Sequence, residues 1–391
     1  MDAPLYLDHA ATTPPLPEAM EAFQHACEVG YANPGSLHQA GADAARLVEK
    51  ARKSLRKSFG AQNYRVVWTA TGTEGNHLGI QGLARVQRIA VERDGLVPRI
   101  LVGAIEHPSS LQAAHSLEAE GFVVEEVPAD TRGIITADAL RSALGPDVVM
   151  VSMQWANNEI GSLQPVQELV GLTRSLAPHA KFHCDAVQAV GKLSTALDRL
   201  DADSYSVAAH KLGGVRGCAA FLLKEGCPEP AAQFVGGGHE GGLRSGTENT
   251  MGIAAFAAAA KVRREWMTED PEFLARRRRK LVALLREFVP ELVVLGPELE
   301  EEQLGAVLSI AVPGIRAETF LHLLEAEGVF VGSGSACHAH GHTESAVLQA
   351  IQLAPELRNS VLRISLSGRE PEEQLERTAK AFSKCCSHFP S

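Results

Sequence analysis

No run in this 391-residue chain approaches the roughly 18 apolar residues that would span a bilayer, so no membrane helix is expected. Basic charge is in deficit, with 37 Lys and Arg against 47 Asp and Glu, a net charge of −10. That argues against nucleic acid or an acidic membrane surface as the main partner. Cysteine is sparse: seven in the whole chain, an odd number, with no CxxC among them. A disulfide framework is therefore not expected, and a reduced cytoplasmic protein with free thiols is. Internal repeats and low-complexity linkers are missing too. The start, MDAPLYLDHAATTPP, has neither a basic segment nor an apolar one, so no secretory signal is expected there. What remains is ordinary globular composition, 45% hydrophobic and 21% charged, long enough for two or three domains.

Short apolar runs recur between segments of helical spacing. Val66 to Trp68, Ile100 to Val102, Val148 to Met153, Phe182 to Asp185, Tyr205 to Ala208 and Ala219 to Leu222 read as buried strands. In residues 41–60, Val48, Ala51, Leu55 and Phe59 share one helical face, with Lys and Arg opposite. Continuous apolar strands alternating with helices predict a largely parallel sheet covered on both faces. The texture changes after about residue 262. Residues 272–289 predict one amphipathic helix, and strand-like segments follow at Val307 to Val312, Val329 to Val331 and Val361 to Leu366. This divides the chain into a large domain, 1–262, and a smaller α+β domain, 263–391. The tetrad Arg276 to Arg279 reads as the solvated face of that helix, fixed by Leu274, Leu281, Leu285 and Phe288.

Three features carry chemistry. Thr69-Ala70-Thr71-Gly72-Thr73 joins a strand to a helix, where free backbone N–H groups and the helix dipole can cradle a phosphate. The turn matches neither the Walker pattern nor GxGxxG, and capped turns of this kind are common. Asp185 ends one apolar strand and Lys211 follows another, beside glycines. A buried acid must be paired or functional, and a partly buried lysine is a candidate Schiff-base amine. Cradle, acid and amine together are what pyridoxal phosphate requires. Finally, Gly332 to His338 is a glycine-bearing loop ending in Cys337 and His338, a setting for a reactive thiolate. Cys337, His338, His340 and His342 are too tightly spaced for a usual structural zinc site, so no metal is expected. Cys184 and Cys218, inside apolar runs, read as inert thiols.

With these residues in view, the chain resembles the cysteine desulfurases, pyridoxal-phosphate enzymes of the class V aminotransferase group and of fold type I. The resemblance runs through YLDHAATTP (6–14), NPGSLHQAG (33–41), TGTEGN (71–76), EHPSS (106–110), ANNEIGSLQPV (156–166) and FHCDAVQAVGK (182–192). It continues in AHKLGG (209–214), GGGHEGGLRSGTEN (236–249), GSGSACHAHG (332–341) and LRISLSG (362–368). It implies an α/β fold with a mostly parallel seven-stranded sheet, plus a smaller C-terminal α+β domain against which the first ~15 residues pack.

The resemblance also implies roles. Lys211 is the Schiff-base lysine, Asp185 pairs with the pyridine nitrogen, Gln188 meets the ring hydroxyl and His107 stacks on the ring. Gly72 and Thr73 hold the phosphate with help from His210, and Thr247 reaches the phosphate of the other subunit of a homodimer. Asn158 and Arg363 bind the carboxylate of L-cysteine, and Cys337 takes its sulfur as a persulfide. A sulfur-acceptor protein, such as an iron–sulfur scaffold or sulfur relay, is the implied partner. Two departures stand out. Ala208 occupies a position where the family usually has a phosphate-binding Ser, a loss of about 1–2 kcal/mol if uncompensated. Ser206, on the same strand face, is the candidate substitute. Gly214-Val215-Arg216 stands where Gly-Pro-Lys is common. Alternatives are a selenocysteine lyase, an ordinary aminotransferase, and a cofactor-poor scaffold relative.

Overall fold

The computed structural model describes residues 3–194, 196–298, 300–333 and 345–389. Cys337 and the three histidines after it therefore lie outside the described residues. Seven strands form one sheet in the order Tyr64–Thr69, Ala219–Lys224, Ser204–Ala208, Lys181–Asp185, Val148–Gln154, Arg99–Gly103, Val123–Val127. All pairings are parallel except the two made by Ala219–Lys224, which runs against both neighbours. Side chains alternate between two apolar layers: Val66 and Trp68 on one face, Val67 on the other. Val148–Gln154, near the middle, is buried at every position, as a strand covered on both faces must be.

Six of the strands lie where the apolar runs place them. The seventh, VVEEV at 123–127, escapes sequence reading because it is a half-exposed edge strand with Val123 49% exposed. Helix Gln39–Phe59 buries Val48, Ala51, Leu55 and Phe59 and stops at Gly60, whose left-handed backbone (φ +57°) closes the last turn. This helix packs on Thr250–Glu269, with the rings of Phe59 and Phe256 6.2 Å apart. Residue 262 falls inside Thr250–Glu269, which continues unbroken for another turn and more.

A second, antiparallel sheet follows, ordered Gly332–Ser333, Val361–Ser365, Val307–Ala311, Val293–Leu295. Helices Phe273–Phe288, Ala317–Ala326 and Glu372–Cys386 accompany it. The N-terminal segment ties the two sheets together. Leu5–Tyr6 pairs with Val329–Phe330, and the Thr13 and Leu16 N–H groups donate to the carbonyls of His210 and Gly213. Residues 8–13 are thereby drawn across the C-terminal edge of the parallel strands.

The arginine tetrad is not a uniformly solvated face. Arg276 and Arg279 do pair outward, with Asp270 and Glu300. Arg277 instead donates to the Glu370 carbonyl, and Arg278 is buried, with its Nε 3.3 Å from the Val307 carbonyl. The helix lies flat enough on the second sheet that two of four consecutive positions face protein. For the larger core, Leu55→Ala should destabilise the chain by about 2–5 kcal/mol, because the fully buried side chain leaves a cavity between two helices. Denaturant titration reads this directly; a loss below about 0.5 kcal/mol would show that the helix face is not packed.

Candidate active site

The parallel strands all deliver their C-terminal ends to one side, the usual place for a ligand in an open α/β sheet. A cavity of about 360 Å³ opens there. It is within the size range of small-molecule sites. Strand 64–69 leads to Gly72 and Thr73 on its wall, and 99–103 leads to His107. Strand 148–154 leads to Asn158, 181–185 to Asp185 and Gln188, and 204–208 to His210 and Lys211. Arg363 enters from the second sheet. Nine of the eleven residues singled out from the sequence thus share one cavity. Thr247 does not: it is exposed, beside a separate cavity lined by Trp68, Cys218 and Asn249. Cys337 is outside the described residues.

Asp185 is 7% exposed and is held from two directions. The Val187 N–H donates to one oxygen at 2.9 Å and the Asn76 amide to the other at 2.8 Å. The Lys211 amine donates to the carbonyls of Ala10 (2.6 Å) and Ala11 (2.8 Å), which the N-terminal segment brings across. Gln188 donates to the same Ala10 carbonyl and accepts from Lys192 at 2.8 Å. Lys192 is wholly buried; desolvation, then the nearby Lys211 charge, holds its amine well below the ordinary lysine range. Its proton donated to Gln188 Oε1 leaves the amide N–H₂ end for Ala10 and the cavity.

Two histidines on the wall are shifted toward their neutral forms. Burial, followed by the Lys211 charge, lowers His210 to about 4. His107 is lowered by burial and Lys211 against a pull from Asp185 in the other direction. Beneath them, burial and then the Asp185 charge push the Glu106 carboxyl well above the usual range. Arg363 is 3% exposed, with one Nη on the Asn158 carbonyl (3.0 Å) and the other on Asp8 (2.8 Å). Its Nε is buried without a partner among the described residues. Gly332 is required there, since a Cβ would sit 2.7 Å from Asp8 Oδ1 and 3.0 Å from the guanidinium.

Sequence reasoning missed Asp8, Asn76, Ser109 and Gln154. All lie inside or beside the quoted motifs, but nothing in their spacing says that Asn76 meets Asp185 or that Asp8 meets Arg363. Ser206 is a correction. It shares the strand face of Ala208 but lies one pleat deeper, fully buried under Gly75 and 3.4 Å from His183 Nε2, off the cavity wall, so it does not replace the hydroxyl missing at Ala208. Ala208 itself lines the cavity. None of the described cysteines does; burial raises Cys218 and Cys227 to about 12. No cluster of three metal-ligating side chains occurs among the described residues.

The sequence profile described as Aminotransferase class-V matches residues 5–378. The chain belongs to the class-V aminotransferase family. This is a family of pyridoxal-phosphate enzymes. The chain is 32% identical over 385 residues to the cysteine desulfurase IscS of Dictyoglomus turgidum, covering 98% of this chain and 95% of that protein. It is 35% identical to a cysteine desulfurase of Sinorhizobium fredii, covering 97% and 95%. Among solved structures, a NifS-like protein superposes with a TM-score of 0.88 at 29% identity, covering 99% of this chain and all of that one. The NifS-like protein of Rickettsia africae gives 0.84 at 27%, covering 98% and 99%.

The residues present fit that cofactor. An amine and a buried acid face one cavity, and Gly72 leaves the cradle open where a Cβ would press on Val187 at 2.9 Å. Asp185, Gln188, His107, Gly72, Thr73, His210 and Lys211 are the side chains and backbone that would hold it.

The site also sets a pH dependence. His183, fully buried beneath Asn76, is lowered by desolvation to about 3, against 6.5 when unfolded. The folded state therefore excludes a proton that the unfolded state binds below pH 6.5. Stability is full above pH 6.5 and falls as acid is added, by up to about 1.4 kcal/mol per pH unit for this group. Urea titrations at pH 7.5, 6 and 5 should show this slope, and His183→Gln should reduce it; an unchanged slope would mean His183 is accessible to protons.

Proposed function

We propose that this protein is a cytoplasmic, homodimeric cysteine desulfurase. It converts L-cysteine to L-alanine and passes the sulfur, through a persulfide on Cys337, to an acceptor protein. The observation that carries the reading is one cavity bounded by the Lys211 amine, the buried Asp185 carboxylate and the Arg363 guanidinium. When bound, pyridoxal phosphate supplies an electron sink at the substrate Cα. Asp185 supplies the fixed negative charge that a protonated pyridine nitrogen needs. Lys211 Nζ is the group that anchors the cofactor and later takes the Cα proton. Arg363, with Nε unpartnered among the described residues, retains donor capacity for the substrate carboxylate, oriented by Asp8 and the Asn158 carbonyl. The Cys337 thiolate would attack the substrate sulfur; the S–S bond forms as the C–S bond breaks, Cβ keeps that electron pair and takes a proton, and Cα regains the proton held on Lys211, giving alanine.

Dimerisation is supported by apolar side chains that a lone subunit would leave in water. Tyr31 is 68% exposed, Leu37 fully so, Phe234 51% and Val235 84%. The exposure of Thr247, on the segment after Phe234 and Val235, supports its assignment to a neighbouring subunit's site. An iron–sulfur scaffold or sulfur relay is the acceptor class that suits a carried persulfide.

Two variants test the chemistry. Lys211→Ala should lose both the visible absorbance of the bound cofactor and at least ~10²-fold of alanine release; wild-type turnover in that variant would refute the assignment. In Cys337→Ser, cofactor loading and cysteine binding should persist while sulfur transfer stops. Peptide mass spectrometry after incubation with L-cysteine locates the added sulfur. Finding it on Cys184, Cys385 or Cys386 would overturn the mechanism.

A further inference from the structure

Asn76, 1% exposed on the first turns of the helix after the phosphate cradle, has no role in the chemistry above, yet it touches three site elements at once. Its Nδ2 lies 2.8 Å from Asp185 Oδ2 and 2.8 Å from Ser109 Oγ. Its Oδ1 lies 3.1 Å from His183 Nε2. Both oxygens facing Nδ2 can accept, and a carboxylate oxygen can only accept, so that end of the amide is the NH₂ end. Oδ1 must then accept, which puts the proton of His183 on Nε2. His183 Nδ1 is left to accept from the Ser204 hydroxyl at 2.9 Å.

The same reasoning runs outward to the cavity. His107 caps its helix: Nδ1 accepts from the Ser109 N–H at 3.1 Å and lies 2.8 Å from Ser109 Oγ. An acceptor nitrogen carries no proton, so the Ser109 hydroxyl donates to it and accepts from Asn76. Every bond in the chain then has one direction, and the only ring proton left to His107 is on Nε2.

We propose that Asn76 is a positioning residue that aims Asp185 and His107 together, its amide held by His183 so that His107 is fixed as the Nε2–H tautomer. The backbone is shaped for this. A π-helical turn at Leu78–Gly82 interrupts the helix, and Gly79 lies so close that a Cβ would be 2.3 Å from His183 Nδ1. Ser206 Oγ, 3.4 Å from Nε2, offers His183 a weaker second acceptor. The arrangement also divides the work between groups: a ring whose Nδ1 is capped by a backbone N–H resists a second proton, so His107 is left a donor at Nε2 and would not compete with Lys211 as a base.

This inference rests on the desulfurase reading, and the experiment separates the two. Wild type, Asn76→Asp, His183→Leu and His183→Gln are loaded with pyridoxal phosphate. Thermal midpoint, cofactor dissociation constant, visible absorbance maximum, kcat and KM for L-cysteine are then measured. Asn76→Asp keeps the shape but sets an acceptor against Asp185; kcat should fall roughly 10- to 100-fold with KM within about threefold, and the absorbance maximum should shift. His183→Leu should reproduce the loss. His183→Gln, which keeps a donor of similar reach, should restore most of kcat and the wild-type spectrum. A merely structural role would lower the thermal midpoint alike in both His183 variants without moving the spectrum, and that result overturns the proposal. So does wild-type kcat in Asn76→Asp. A wild type with no cofactor absorbance and no alanine release overturns the desulfurase reading itself, and the inference with it.

Discussion

A carboxylate held out of water at the end of a central strand is the constraint on which the rest of this structure turns. Asp185 sits where strand 181–185 meets the cavity, 7% exposed. A charge in that position is costly unless it is hydrogen-bonded and useful. The Val187 and Asn76 N–H groups meet it from the protein side, which leaves the cavity side for a cation. Its neighbours adjust to its charge. The Glu106 carboxyl and the Cys184 thiol are pushed upward, by burial first and Asp185 second, so neither competes as a second buried anion. His107 feels the opposite pull, but burial outweighs it.

A cluster of basic side chains, of which Lys211 and Arg363 reach the cavity, is organised by the N-terminal segment. Lys211, Lys192, Arg263 and Arg363 lie near one another, and burial with mutual repulsion lowers Lys192 strongly. Carbonyl oxygens of Ala10 and Ala11 and the Asp8 carboxylate satisfy the donors that reach them. That segment is pinned at both ends, to Val329–Phe330 and to the carbonyls of His210 and Gly213. Shifting either sheet relative to the other would therefore move the acceptors of Lys211 and Arg363 together. The cavity is a joint product of the two sheets.

The central strands and the Gln39–Phe59 helix were legible because burial on two faces, or on one helical stripe, leaves a run or a 3.6-residue period in the chain itself. Strand 123–127 was not, because an edge strand half in water carries no continuous apolar run. The arginine tetrad misled for a related reason: four adjacent charges read as solvent-facing, yet a helix turns 100° per residue and carries some of any four inward. Arg278 finds the Val307 carbonyl there. Ser206 illustrates the limit of face arguments. It does share a strand face with Ala208, but one step back along the strand that face is already covered by Gly75 and His183.

The sequence by itself determined the parallel sheet, the family, and which side chains to seek at one site: Lys211, Asp185, His107 and Arg363 stand in recognisable local strings, and local strings survive without coordinates. It could not show which of them share a hydrogen bond, since those contacts join residues far apart in the chain. Asn76 meets Asp185 across 109 positions and His183 across 107; Arg363 meets Asp8 across 355. Only the packed chain decided that Asn76 would present its N–H₂ end to Asp185, that Ser206 would face His183 and that Asp8 would hold Arg363. Hydrogen bonds have a reach of about 3 Å and a direction, and both are set by how the sheets and helices stack.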